Sequence, residues 1–228
     1  MKKETLLKYA LIALVAIVAL GLVLASSNKA QNPPKDKEKP NIVNGTRSLK
    51  EEARRSQGGR YLGYEAPGKE VRFLDIADVA RSSHAIIIGT PQRNRARLSA
   101  DEKRITLNYE VSVGEVIKGD LQPGSIVTVK LPGGKVMFPD NTSAEVRTPW
   151  FKWMENRHTY VLFLTAEGDA YVPTGGPQGV FEIPADNASV KSNSGINKDP
   201  MWRYHNMGLE AFLDEVRKAL GKEKKAKA

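Results

Sequence analysis

"ITLNYEVSVGEVIK", residues 105–118, is the stretch whose reading decides the fold. Ile105, Leu107, Tyr109, Val111 and Val113 alternate with Thr106, Asn108, Glu110 and Ser112. Successive side chains of a strand point to opposite faces, so this is a long β-strand with one apolar and one polar face. At Gly114 and Glu115 the phase breaks, and Val116 takes up the apolar set on the even register. A glycine at a phase change inside a strand reads as a β-bulge, which bends and coils the strand. One long, bent strand shared between two parts of a sheet is what a small closed barrel needs.

The neighbours of this strand extend the pattern. Upstream, residues 85–89 form a continuous apolar run with three isoleucines, read as a buried strand. A short helix precedes it: Asp75 is the candidate cap, Asp78 falls at the third helical position, and Leu74 is placed to staple onto Val79. Between the two strands, "PQRNRARLSADEKR" reads as a long polar loop over residues 91–104. Downstream, "SIVTVKL" alternates again, "KVMF" reads as a further short strand and "TYVLFLT" as a central one. Glu167, Gly168 and Asp169 turn that strand into "AYVP". "TGGPQG", residues 174–179, has the glycines of a phosphate loop. No Lys follows them, and the next residues are "VFEIP", a strand rather than a helix, so the segment reads as a turn.

The turn spacing predicts a mainly β domain over residues 71–184, a small OB-like barrel of about five or six strands behind one short helix. Residues 185–221 add a polar loop and an amphipathic helix, with Leu209, Phe212, Leu213, Val216 and Leu220 on one stripe. Asn206 is its candidate cap and Gly221 its stop; residues 222–228 read as a basic tail.

The N-terminal part is of another kind. Residues 1–5 read as a cytoplasmic tail. Residues 6–26 carry an uncharged run, "YALIALVAIVALGLVLA", that reads as a transmembrane anchor or a signal peptide. The anchor is favoured, because the run is long for a signal peptide's apolar region of about 7–15 residues. Residues 27–70 read as a polar linker containing a possible short helix. These features place the protein in the cytoplasmic membrane, single-pass, with its C-terminal domain extracytoplasmic and the lipid bilayer as the partner of residues 6–26.

The 228-residue chain has a formal charge of +9, which is net +7 over residues 1–60, −1 over 61–200 and +3 over 201–228. The basic character therefore lies in the tails, and the electrostatic footprint of a nucleic-acid binder is missing from the core. The absence of cysteine excludes disulfides, thiolate metal sites and lipoprotein acylation.

The order of "HAIIIGT", of residues 113–120 with Lys118 and Gly119, of residues 160–164 and of residues 175–181 resembles a group of uncharacterised bacterial exported or membrane-anchored proteins. Their barrel is similar to the netrin-like, TIMP-like variant of the OB-fold. The likeness spans about residues 75–220. It implies the fold and carries no functional residue: inhibitors of that fold act through a free N-terminal cysteine, which this chain lacks.

No catalytic motif, metal motif or cofactor motif is legible. His84, His158 and His205 form no i, i+4 pair, and His84 and His158 read as hydrogen-bonded residues at strand ends. Asp140, Glu155 and His158 are the residues a dispersed catalytic site would draw on. Two segments exceed what turns require, and both are binding candidates. Arg93, Arg95 and Arg97 would suit an anionic surface or partner. Trp150 and Trp153 would suit a lid on one open end of the barrel, the favoured reading, or a partner hot spot or membrane-contacting edge. Nucleic acid is disfavoured, because the polar face of residues 105–113 offers no stacking platform. The expected function is a non-catalytic, membrane-tethered module of the cell envelope that binds or scaffolds an unidentified envelope protein or anionic surface. The alternatives are an envelope hydrolase with a dispersed site and a cleaved soluble periplasmic protein of the same fold.

Overall fold

The computed structural model describes residues 47–66, 72–195 and 199–226, with side chains as far as Gly221. The expected tail, the anchor over residues 6–26 and most of the linker lie outside the described residues. Among the described residues no helix is long and apolar enough to cross a membrane.

The architecture is mainly β. Strand β3 (Ile105–Lys118) has the expected alternation: Ile105, Leu107, Tyr109, Val111 and Val113 are buried, and the residues between them are half-buried. It pairs antiparallel with β2 (Ala85–Leu98) on one side and β4 (Ile126–Pro132) on the other. Ile88 pairs with Glu115 and Gly89 with Val113, which leaves Gly114 unpaired, so the bulge lies where the phase change put it. The strands approach closely there: a Cβ on Gly89 would sit 2.7 Å from Val111 Cγ1.

β2 also pairs antiparallel with β7 (Thr159–Glu167), which turns through Gly168 into β8 (Ala170–Pro173). The sheet order is β10-β9-β7-β2-β3-β4-β8, and β8 pairs with both β4 and β7. Five strands, β7-β2-β3-β4-β8, therefore close a partial ring. The seam is thin: β4 and β8 are parallel and meet at a single pair, Val129 with Tyr171. The segment after β8 is a short 3-10 turn (Gly176–Gly179) leading into β9 (Val180–Ile183), so the glycine-rich stretch is a turn between strands. β9 pairs with the first half of β7, and β10 (Lys191–Ser192) extends it.

β7 explains its own continuous apolar run. Tyr160, Leu162 and Leu164 face the ring interior with Leu107, Tyr109, Val111, Val129 and Leu131. Val161 and Phe163 face outward into a second core, shared with helix α2 (Ile76–Ser82) and helix α3 (Leu209–Ala226). α1 denotes the earlier helix Leu49–Arg55. The stripe on α3 packs as expected: Phe212, Leu213 and Val216 are buried, and Phe212 lies 4.7 Å from Phe181 between ring centroids.

Several expectations need correction. The linker does not extend to residue 70. Ser48 caps α1 in a reciprocal pair with Glu51, and β1 (Arg60–Tyr64) joins β6 (Ser143–Arg147) and β5 (Gly134–Met137) in a second, three-stranded sheet. Leu49, Ala53 and Tyr61 bury against Ile105, Ala144 and Val146. The domain thus reaches back to residue 48 rather than beginning at 71, and "KVMF" serves the small sheet rather than the ring. Asp75 caps α2 by accepting from the Asp78 amide, but Leu74 is 68 % exposed and staples nothing. Asn206 sits at φ 66° before α3 without capping it, and the helix runs through Gly221 to Ala226, into the expected tail.

Candidate ligand-binding face

Residues 91–98 do not form a loop. β2 continues through them to Leu98, paired with β3 along its length. The partner strand supplies the backbone ladder, and Ala96 and Leu98 pack inward, so the polar run keeps a period of two. One residue decides its direction. Pro91 pairs with Val111 and Arg93 with Glu110, which leaves Gln92 unpaired as a second bulge. Without that extra residue the register would put the arginines on the inward side. With it, Arg93, Arg95 and Arg97 lie opposite Glu110, Asn108 and Thr106, on the polar face of β3. Arg93 Nε bonds Glu110 Oε2 at 2.6 Å, and all three arginines are exposed.

At the end of this face the ring seam opens into a groove of about 790 Å³. Arg97, Arg104, Thr106 and Asn108 line one side, Lys130 and Pro132 of β4 the middle, and Thr165, Glu167, Val172 and Pro173 the other side. Beyond the pair Val129 and Tyr171, both β4 and β8 contribute to its walls. Phe73 closes one end. Its backbone N–H donates to Gln178 Oε1 at 2.8 Å, and its carbonyl accepts from Gln178 Nε2 at 3.0 Å. Gly175 (φ 67°) lies against the ring: a Cβ there would come within 2.7 Å of Phe73 Cδ2. The glycines of "TGGPQG" are thus needed for a close approach at the groove wall. Within the groove, Lys130 Nζ and Glu167 Oε2 pair at 3.5 Å. Asn108 Oδ1 is shielded from solvent and has no hydrogen-bond partner among the described residues. An unsatisfied buried acceptor costs about 1–3 kcal/mol.

The aromatic segment packs onto the ring core, the arrangement the lid reading expects, and leaves little of Trp150 for a partner surface. Trp150 is 7 % exposed and joins Phe151 and Met154 in the ring core; Trp153 is half-buried against it. Trp150 Nε1 donates to the Glu65 carbonyl and Trp153 Nε1 to the Pro132 carbonyl, each at 3.1 Å. Two interior tyrosines hold the lid backbone. Tyr109 donates its hydroxyl to the Met154 carbonyl at 2.9 Å, and the Tyr160 hydroxyl accepts from the Glu155 amide at 2.8 Å. Burial pushes the Tyr160 hydroxyl up to about 12 and the Tyr109 hydroxyl further.

A charged cluster fastens the same lid to β9. His158 Nδ1 lies 2.9 Å from Glu182 Oε1, and Lys152 Nζ lies 3.0 Å from Glu182 Oε2 and 3.3 Å from Glu155 Oε1. Burial acts to raise the Glu182 carboxyl. Hydrogen bonds and charge from His158 and Lys152 outweigh it and hold the group below the ordinary glutamate value. Of the three residues that a dispersed catalytic site would draw on, Glu155 and His158 meet here, with Nε2 and Oε2 3.6 Å apart. Asp140 is elsewhere: bonds from Thr142 and Arg54 lower it to about 2. His84 accepts from the Ala166 amide at 3.1 Å, as a strand-end histidine should. Among the described residues no group of three or more acidic or histidine side chains is arranged to hold a metal ion.

The groove was not legible in the sequence. Its signal was present in two pieces, the alternation of residues 93–98 and the polar face of residues 106–110, but nothing in either shows that β4 and β8 part beside them. Comparison of the chain with protein-family models and with curated proteins finds no match.

Proposed function

We propose that this protein is a non-catalytic binding module, held at the cell envelope by its apolar N-terminal segment, whose ligand occupies the groove beside Asn108. The order β2-β3-β4-β8-β7 around the ring, with β4 and β8 parallel, supports an OB-like barrel of the netrin-like kind. In OB-type barrels the outer face of the second and third strands, with the loop joining the first two, is a common ligand surface. Here that face is β3 and β4, and the loop is residues 99–104. This is an analogy of fold. The observation that carries the reading is the groove itself: a concave site lined by Arg97, Arg104, the Lys130–Glu167 pair and Glu65, with an unpartnered acceptor and apolar walls. Its volume falls within the range of small-ligand sites, about 300–1,000 Å³.

The experiment is crosslinking of the full chain in its own cells. A photoreactive residue replaces Arg97 in one variant and Glu215, on the exposed side of α3, in another. An adduct from position 97 and none from position 215 is expected. Adducts from position 215 alone would move the functional surface to the helix.

A further inference from the structure

We infer that the groove is built for an acidic saccharide, a short sugar chain bearing carboxylates; this rests on the groove being the binding site. The inference follows from what its side chains require together. Asn108 Oδ1 requires a donor. Arg97 and Arg104 present guanidinium groups to the groove, Arg104 also acting on the Asp101 carboxyl, and a planar carboxylate matches their geometry. Glu167 accepts, and Lys130 beside it donates. Phe73, Pro132 and Pro173 supply apolar surface to the same space.

Few ligand classes meet all four conditions. Inorganic phosphate satisfies the guanidinium groups and can donate a P–OH to Asn108, but it leaves the apolar surface of Phe73, Pro132 and Pro173 uncovered. An apolar ligand leaves every polar group unpaired at the cost of its desolvation. Single-stranded nucleic acid needs successive stacking platforms, and among the described residues Phe73 is the one aromatic side chain lining the groove. A sugar hydroxyl both donates and accepts, so it pairs with Asn108 and with Glu167. A sugar C–H face lies against proline and phenylalanine, and its carboxylate goes to Arg97 or Arg104.

The roles separate experimentally. Asn108 reads the hydroxyls that every sugar carries, whereas Arg97 reads the carboxylate. The test is calorimetric titration of the full chain in detergent with trigalacturonate, with the neutral galactotriose of the same length, with a thymidine oligonucleotide and with inorganic phosphate. Trigalacturonate is expected to bind at least tenfold tighter than galactotriose, and the advantage is expected to shrink with added salt. Arg97→Gln, an exposed substitution, is expected to reduce the acidic preference, with Arg104 retaining part of it, and to affect the neutral sugar far less. Asn108→Leu is expected to weaken both sugars about tenfold; its melting curve checks that it folds, and Lys130→Gln, at a half-buried position, provides a second variant. Equal binding of the two sugars overturns the inference, as does tighter binding of the oligonucleotide or of phosphate. If no sugar binds while position 97 still crosslinks in cells, the saccharide is wrong and the groove stands. If neither occurs, both readings fall.

Discussion

Residues 91–98 and residues 150–158 look alike in sequence and behave oppositely in the fold. Each is a charged stretch with more arginine or tryptophan than a turn requires. The first is the outer half of a strand, paired residue by residue with β3. The second is a lid whose aromatic rings are folded into the ring core. The difference teaches that composition alone does not set exposure. An arginine on a strand goes wherever the register sends it, and here a single unpaired residue, Gln92, sends three of them outward. A tryptophan among charged neighbours still gains more by burial than it loses, provided its N–H finds a carbonyl, as Trp150 and Trp153 both do.

The largest expected effect bears on what backs the arginine strand. Ala96 and Leu98 pack against the cluster to which α1 and β1 contribute Leu49, Ala53 and Tyr61. Burying each large apolar side chain stabilises by roughly 1.5–3 kcal/mol. A fragment beginning at residue 72 is therefore expected to melt well below one beginning at residue 47, or not to fold. Equal denaturation midpoints would return α1 and β1 to the linker.

Substitution tests the comparison itself. Trp150→Ala is expected to cost about 3–5 kcal/mol in denaturant unfolding, as other buried aromatic truncations do. Arg95→Ala, on the exposed face, is expected to stay within about 0.5 kcal/mol. If the two costs were similar and small, the lid would be a surface loop and its tryptophans would again be candidates for a partner.

A smaller effect sharpens the lid alone. The Glu182 carboxyl is held low by Lys152 and His158, with Glu155 and the Tyr160 hydroxyl also facing it. A lowered carboxyl contributes stability that is complete above the ordinary glutamate value, about 4.3, and is lost as pH falls through the lowered one. Tryptophan fluorescence is expected to change in that window as the lid loosens, and to be flatter in Glu182→Gln. Identical profiles would detach the cluster from the lid.

Much of this fold was legible because it rests on local rules. The alternation of residues 105–113, the bulge at Gly114, the Asp75 cap and the apolar stripe of α3 are each set by neighbours in sequence. What was missed rests on distant pairing. β1 and β6 are short, and they are strands through distant pairing, β1 on β6 and β6 on both β1 and β5. The bulge at Gln92 has no glycine to announce it. The Lys152–Glu182–His158 cluster joins residues from a lid, a strand end and β9. The Asn108 side chain looked like an ordinary outward residue, and its shielding depends on walls built from β4, β7 and β8.

Under the proposed function, ligand recognition belongs to the outer face of β2, β3 and β4 and not to the aromatic lid. Amide chemical-shift mapping of the isotope-labelled chain, titrated with a solubilised extract of the cell envelope, tests it most directly. The shifts are expected to concentrate at Arg97, Thr106, Asn108, Lys130 and Thr165. Shifts confined to residues 150–158 or to α3, with those five amides unmoved, would contradict it.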